Sequence, residues 1–142
     1  MSNKWRVIGM GSVLVMALGL GMGCKMLGLA PRTEADVKSF AKTLQGLNED
    51  MRGTLHKIRE QQNVEANTEL LHDQLHLMRD ILHLVDKDKR EIPPFQVLHD
   101  LNHEMRDRWH DIKKGKDREA NLGKLHDQLH QMKQVLEGMS KP

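Results

Sequence analysis

Histidine is the residue in this sequence whose type and spacing could do chemistry. The 142-residue chain has nine histidines, and all of them lie between His56 and His130. Two histidines four residues apart on a helix present both imidazoles on one side, an arrangement that can chelate Zn²⁺, Cu²⁺ or Ni²⁺. Three such pairs are present: His72/His76, His99/His103 and His126/His130.

Two of these pairs are the expected centres of metal sites, one in each half of the chain. We predict that His72 with His76, and His126 with His130, each nucleate one site. A short loop between consecutive helices would bring one more histidine to within about a turn of each pair. The expected third ligands are His56 for the first pair and His110 for the second. Further possible ligands are Asp73, Asp127, His99 and His103.

An ordinary solvated surface is the alternative interpretation of the same residues. Projection at about 100° per residue places the histidines beside the apolar stripe of each helix and not within it. Aspartates share their faces, so weak ion pairs could account for the pattern without a metal. Duplication favours binding, because His72, Asp73 and His76 all recur in the second half. Packing alone would require only the leucines and the methionine to recur.

That duplication is an internal repeat with an offset of 54 residues. The hexapeptide 71–76 returns letter for letter as 125–130, and aligning 44–85 with 98–139 without a gap gives 18 identities in 42 positions. Self-similarity of this kind identifies a repeated supersecondary unit. We place the first repeat at about 33–86 and the second at about 92–139.

Apolar residues spaced by three or four predict two helices in each repeat. The segments 61–63 and 115–117 are the predicted turns, with Gly115 ending one helix and Asn63 and Asp117 as N-caps. Pro93 and Pro94 separate the repeats. Two antiparallel hairpins must pack together to bury their apolar stripes, which predicts an all-α, up-down-up-down four-helix bundle over 33–139. Asn48 and Asn102, at the edge of the stripe, are expected to set the register between hairpins.

Four methionines occupy equivalent places in the predicted core, one on each helix. They are Met51, Met78, Met105 and Met132. Methionine in a bundle core usually serves as adaptable packing. Its thioether could also ligate Cu(I), or the iron of a haem, so a haem-binding bundle is a weaker alternative.

The N-terminal segment is an export signal. Lys4 and Arg6 precede the uncharged stretch 7–24, which ends in Leu20-Gly21-Met22-Gly23-Cys24. This ending resembles the lipobox of bacterial lipoproteins, in which the cysteine is lipidated and becomes the first residue after cleavage. The resemblance implies a signal peptide at 1–23, a lipid on Cys24, a tether over 24–32, and sorting that favours the outer membrane because Lys25 follows Cys24. An uncleaved N-terminal anchor helix is the alternative. A soluble exported form is a third alternative, and all three interpretations place the bundle outside the cytoplasm.

Composition limits the classes of function. Apart from Lys4 and Arg6, the chain has 20 basic and 20 acidic residues, so no basic surface for nucleic acid is expected. A single cysteine excludes an intramolecular disulfide. No motif for a phosphate loop, a covalent haem or a zinc protease is present, and we expect no enzyme. The function expected is binding of a transition metal at the envelope, or alternatively a structural or adaptor role toward another envelope protein.

Overall fold

Four helices make up the bundle in the computed structural model, which describes residues 34–85 and 92–141. They are α1 (Glu34–Arg59), α2 (Val64–His83), α3 (Pro93–Lys113) and α4 (Arg118–Ser140). Helix α1 packs against α2 and α4, and α3 packs against the same two helices. The predicted all-α four-helix bundle is confirmed. The predicted signal or anchor helix, the tether and Cys24 lie outside the described residues. Within those residues, no helix is long and apolar enough to cross a membrane.

The core is built from equivalent positions of the two repeats. Leucines at the predicted spacing are fully buried, and the four core methionines are each 0% exposed. Since the core stripe faces the bundle axis, the residues beside it on each helix face a neighbouring helix. Four further residues that we did not predict to lie in the core are also buried, namely Ala41, Ile81, Phe95 and Leu122.

Both hairpin turns have the same backbone conformation. After α1, the Gln61 N–H donates to the Ile58 carbonyl, at 3.1 Å, and the Gln62 N–H donates to the Lys57 carbonyl, at 2.9 Å. The equivalent bonds after α3 measure 3.0 Å each, from Gly115 and from the residue that follows it. This is a Schellman ending, which requires a left-handed residue at its centre. Gln61 (φ 59°) and Gly115 (φ 74°) supply that residue, so the predicted stop at Gly115 is confirmed.

Asn63 and Asp117 occupy the predicted N-cap positions of α2 and α4, but their side chains make no capping hydrogen bond. Their backbones are left-handed (φ 40° and 38°), whereas side-chain capping needs an extended N-cap residue. A second asparagine ties each turn instead. The Asn67 side chain donates to the Gln62 carbonyl at 2.7 Å, and Asn121 donates to Lys116 at 2.9 Å.

Asn48 and Asn102 link one hairpin to the other. The Asn48 Nδ2 donates to the Leu129 carbonyl of α4 at 3.2 Å, and the Asn102 Nδ2 donates to the Leu75 carbonyl of α2 at 3.1 Å. Both asparagines are buried, so an axial shift of either helix would leave an amide without its acceptor. The two bonds are related by the 54-residue repeat and support the predicted role in register.

Candidate functional site

The histidines lie on the flanks of the helices, half-buried or exposed, as the helical projection predicted. None of the nine is fully buried. Six of them are on α2 and α3, and only three are on α1 and α4. The histidines of α2 and α3 are His72, His76, His83, His99, His103 and His110. This uneven distribution places most of the imidazoles along one side of the bundle.

The first group of interest lies between α2 and α3, and we call His72, His76, Arg106 and His110 the α2–α3 cluster. The rings of His72 and His76 are 4.5 Å apart between centroids and meet edge to face. The ring of His110, from the neighbouring helix, is 6.4 Å from that of His72. Three imidazoles from two helices therefore lie side by side, one turn away from an arginine on α3.

The equivalent residues between α1 and α4 form the α1–α4 cluster, which consists of Arg52, His56, His126 and His130. The rings of His126 and His130 are 4.4 Å apart. His56 and His126 line the same groove, of about 340 Å³. Each residue of this cluster is 54 positions away from its counterpart in the α2–α3 cluster, and all four residue types are the same.

The third imidazole of each cluster comes from the other hairpin, and this corrects the sequence-based expectation. We expected His56 to join His72 and His110 to join His126, each within its own hairpin. In the structure His110 lies against His72, and His56 shares its groove with His126. Each helix of the bundle packs against two neighbouring helices, one on each flank, and the flank of α3 that carries His110 faces α2. Periodicity alone does not identify which flank faces which neighbour.

His130 is held on both of its ring nitrogens. Its Nδ1 is 3.1 Å from the carbonyl of His126, and its Nε2 is 3.2 Å from Nη2 of Arg52. This geometry fits the neutral tautomer that donates from Nδ1 to its own helix and accepts from arginine at Nε2. A metal could use His130 only after Arg52 moved away. The α1–α4 cluster is therefore less ready to bind a metal than its equivalent.

The two arginines have different surroundings. Arg52 Nη1 lies 2.8 and 2.7 Å from the two carboxylate oxygens of Glu49, one turn earlier on α1. His103 occupies the equivalent position on α3, and its Nδ1 is 3.2 Å from Asp107. The Nε atoms of both arginines are buried without a hydrogen-bond partner. A carboxylate balances the charge of Arg52, whereas no carboxylate of the described residues pairs with Arg106.

Burial and nearby positive charges, including that of Arg106, lower the pKa of His76. Burial is the largest cause that lowers the pKa of His76 below the ordinary histidine value of 6.5. The positive charges of His72, Arg106 and Arg79 lower it further, and Asp80 raises it. Neutral imidazole is the form that binds metal, so this environment keeps His76 in the competent form at a lower pH.

Of the remaining candidate ligands, His99 and His103 contact groups outside the clusters. His99 stacks on His83 with ring centroids 5.5 Å apart, and His103 pairs with Asp107. Asp73 is exposed, and Asp127 pairs with His126 of the α1–α4 cluster at 3.4 Å. Within residues 34–85 and 92–141, no group of three or more His, Cys, Asp or Glu side chains is arranged to hold a metal ion. Metal binding at either cluster would therefore require the imidazoles to rotate.

Arg52 and Arg106 are the residues that the sequence analysis did not select. Both are conserved between the two halves, at positions beside the core stripe where packing requires no arginine. Their identity in the two halves is the sequence signal that marks these arginines.

Comparison of this chain with protein-family models, curated proteins and solved structures found no match.

Proposed function

We propose that this chain is a membrane-anchored, extracytoplasmic four-helix bundle that binds a transition metal through its histidine clusters. The observation that carries the proposal is the convergence of His72, His76 and His110 from two helices. Three imidazoles with positions left open to water suit Zn²⁺, Cu²⁺ or Ni²⁺. The proposed role is binding, such as buffering or sensing of the metal, and not catalysis.

The two clusters should differ in affinity, although their ligands are duplicated. In the α1–α4 cluster the metal must displace Arg52 from His130, which is also bonded to its own helix. In the α2–α3 cluster no described residue holds the imidazoles in this way, and burial keeps the pKa of His76 low. We therefore expect the α2–α3 cluster to bind first and more tightly.

Calorimetric titration of the untagged full chain in neutral detergent tests the proposal. With Zn²⁺, Cu²⁺ or Ni²⁺ we expect saturable binding that weakens as the pH falls below about 6.5, because protons compete for the imidazoles. The double variant His72→Ala/His76→Ala should remove the tighter site, and His126→Ala/His130→Ala the weaker one. Weak binding without saturation that persists in both double variants would reject metal binding and favour the adaptor alternative.

A second comparison tests which histidine completes each site. In the His126→Ala/His130→Ala background only the pair on α2 remains. Adding His110→Ala to that background should weaken binding at least about tenfold, since even a hydrogen-bond partner behind a ligand contributes about 10–100-fold. His56→Ala is the matched control and should have little effect. The reverse result would favour the arrangement within one hairpin.

Anchoring is proposed from the N-terminal sequence and rests on Cys24. The protein should partition into membranes and incorporate labelled palmitate, and Cys24→Ser should abolish the label. Each buried methylene contributes about 0.8 kcal/mol, so two or three acyl chains hold a protein at a membrane where a single chain would exchange. Unchanged processing and labelling in Cys24→Ser would exclude lipidation at this residue.

A further inference from the structure

Arg106 is a permanently charged side chain for which the described part of the protein supplies no acceptor. Its Nε is buried without a hydrogen-bond partner, as is the Nε of Arg52. The two arginines differ in the rest of the guanidinium, because no carboxylate of the described residues pairs with that of Arg106. A half-buried positive charge without a protein carboxylate leaves N–H groups open to an anionic ligand.

The equivalent arginine in the first repeat shows what Arg106 lacks. Glu49 holds Arg52 through both carboxylate oxygens, at 2.8 and 2.7 Å, and Lys133 approaches the same carboxylate at 3.3 Å. His103 stands at the position of this glutamate in the second repeat. Arg106 therefore has an imidazole where Arg52 has a carboxylate.

The acidic side chains near the cluster do not bond to Arg106. Asp107 accepts from His103 at 3.2 Å, Asp80 is bound by Arg79 at 2.6 Å, and Asp73 is exposed. Arg106 acts on His76, whose ring lies against that of His72, and all three imidazoles of the cluster can donate an N–H. The α2–α3 cluster is therefore a set of hydrogen-bond donors with one fixed positive charge, and no carboxylate of the described residues bonds to that charge.

We infer that the α2–α3 cluster binds a tetrahedral oxyanion of the phosphate class, with Arg106 as the principal contact. A guanidinium presents paired N–H groups that match two oxygens of a phosphate, and charge-assisted bonds of this kind are among the strongest in proteins. The neighbouring imidazoles supply further donors from two helices. This site goes beyond the proposed metal function and does not depend on it, although an anion beside Arg106 would offset the repulsion that a metal ion meets there.

The test uses the untagged full chain in neutral detergent with EDTA present, so that no metal takes part. Titration with inorganic phosphate should give saturable binding with one site per chain. Arg106→Gln should weaken that binding by about tenfold or more, as expected for the loss of a charge-assisted hydrogen bond. Arg52→Gln is the matched control and should bind as the wild type does. Thermal melting of each variant checks that the fold is retained.

Exchanging the two partner residues makes the test sharper. His103→Glu places a carboxylate beside Arg106 and should abolish phosphate binding while the arginine is kept. Glu49→His frees Arg52 and should create a second site in the α1–α4 cluster. The inference is overturned if Arg106→Gln binds as well as the wild type does, or if His103→Glu has no effect on binding.

Free phosphate and a lipid headgroup carry the same chemistry, and a second probe distinguishes them. Dihexanoyl phosphatidylglycerol, used below its micelle concentration, presents a phosphodiester without a bilayer. Binding of inorganic phosphate that depends on Arg106 identifies a small oxyanion as the ligand. Arg106-dependent binding of the lipid alone identifies a headgroup. Failure of both probes rejects the site and leaves the metal titration unaffected.

Discussion

The hairpin turns and the arginine–histidine clusters are both duplicated. The two turns agree in backbone geometry, whereas the two clusters agree in residue type but differ in electrostatics. The two turns share their backbone hydrogen bonds and an asparagine that ties each of them, although the turn residues themselves differ. The two clusters share all four of their main residues. Glu49 nevertheless pairs with Arg52, whereas His103 occupies the equivalent position beside Arg106, with which no carboxylate of the described residues pairs. Backbone geometry tolerates many side chains, whereas the electrostatics of a cluster change with a single residue.

A polar network on α3 and α4 illustrates the same contrast. Gln128 accepts from Arg108 Nε at 2.9 Å and donates to Glu104 at 2.8 Å. Its counterpart Gln74 has a buried carbonyl oxygen without a partner, because Thr54 replaces the arginine in the first repeat. The first hairpin therefore lacks the arginine–glutamine bond of the second. The second hairpin contains Arg106, with which no carboxylate of the described residues pairs.

The largest expected effect tests whether the two halves are equivalent in the core. Leu75 and Leu129 are each 0% exposed, and their carbonyls accept from the inter-hairpin asparagines. Leu75→Asp or Leu129→Asp would bury an unpaired charge and should cost about 3–5 kcal/mol or more. That is most of the stability of an ordinary domain, about 5–15 kcal/mol. Thermal melting followed by circular dichroism should show loss of the cooperative transition in both variants.

His72→Ala is the control for these leucine variants. It removes a side chain three residues before Leu75 on the same helix, but one that lies outside the core. It should melt cooperatively, close to the wild type. If Leu129→Asp melts cooperatively while Leu75→Asp does not, then only the first repeat contains an essential core, and the equivalence of the halves is wrong.

A smaller effect should separate the two inter-hairpin asparagines. Asn102→Ala removes a buried hydrogen bond and should cost about 1–3 kcal/mol. Asn48 makes the equivalent bond, but its own side-chain oxygen is buried without a partner. Removing that oxygen relieves a cost, so Asn48→Ala should be milder by about 1 kcal/mol. Urea denaturation of both variants measures the difference, and equal losses would argue against it.

Much of this architecture could be predicted from the sequence. The spacing of leucines such as Leu71 and Leu75 predicts the helices because burial follows the helical period. The ungapped repeat predicts two like hairpins, and the position of Gly115 predicts a left-handed turn. The linking role of Asn48 also follows from its place beside the core stripe. These features depend on local periodicity, which the sequence contains in full.

The composition of the clusters could not be predicted in the same way. Whether His110 meets His72 or His126 depends on which flank of α3 faces α2, and this is a property of the assembled bundle. The importance of Arg106 depends on the absence of a partner, which becomes visible only when its surroundings are in place. Similarly, the missing side-chain bond of Asn63 follows from a left-handed backbone that residue type alone does not specify.

A smaller effect is expected from substitutions in opposite directions at the left-handed residues of the two turns. Gln61 and Gly115 both have positive φ values, 59° and 74°, but only glycine adopts this conformation without steric cost. Gln61→Gly should raise the free energy of unfolding by about 0.5–1 kcal/mol, and Gly115→Ala should lower it by about 1 kcal/mol. An added Cβ at Gly115 meets nothing within 4 Å, so the loss would come from the backbone alone. Equal stability of the wild type and Gln61→Gly would mean that the first turn is unstrained.

The smallest expected effect is a change in the titration of His76. Arg106 is one of the charges that lower the pKa of His76, after burial and His72. Arg106→Gln should therefore raise that pKa toward 6.5, whereas Arg52→Gln, in the other cluster, should leave it unchanged. Titration of the imidazole protons by NMR, with His76→Gln to assign the resonance, measures the shift.

The lowered pKa of His76 also makes the free energy of unfolding depend on pH, and the direction of that dependence can be worked out. Below pH 6.5 the unfolded chain protonates this histidine, while the folded protein, with its lowered pKa, resists protonation. The unfolded state then binds more protons, so the contribution of His76 to the free energy of unfolding falls as the pH drops from 6.5 through the folded pKa. Arg106→Gln brings the two pKa values closer and should reduce this part of the pH dependence. An unchanged or lower pKa of His76 in Arg106→Gln would show that Arg106 does not act on the cluster in solution.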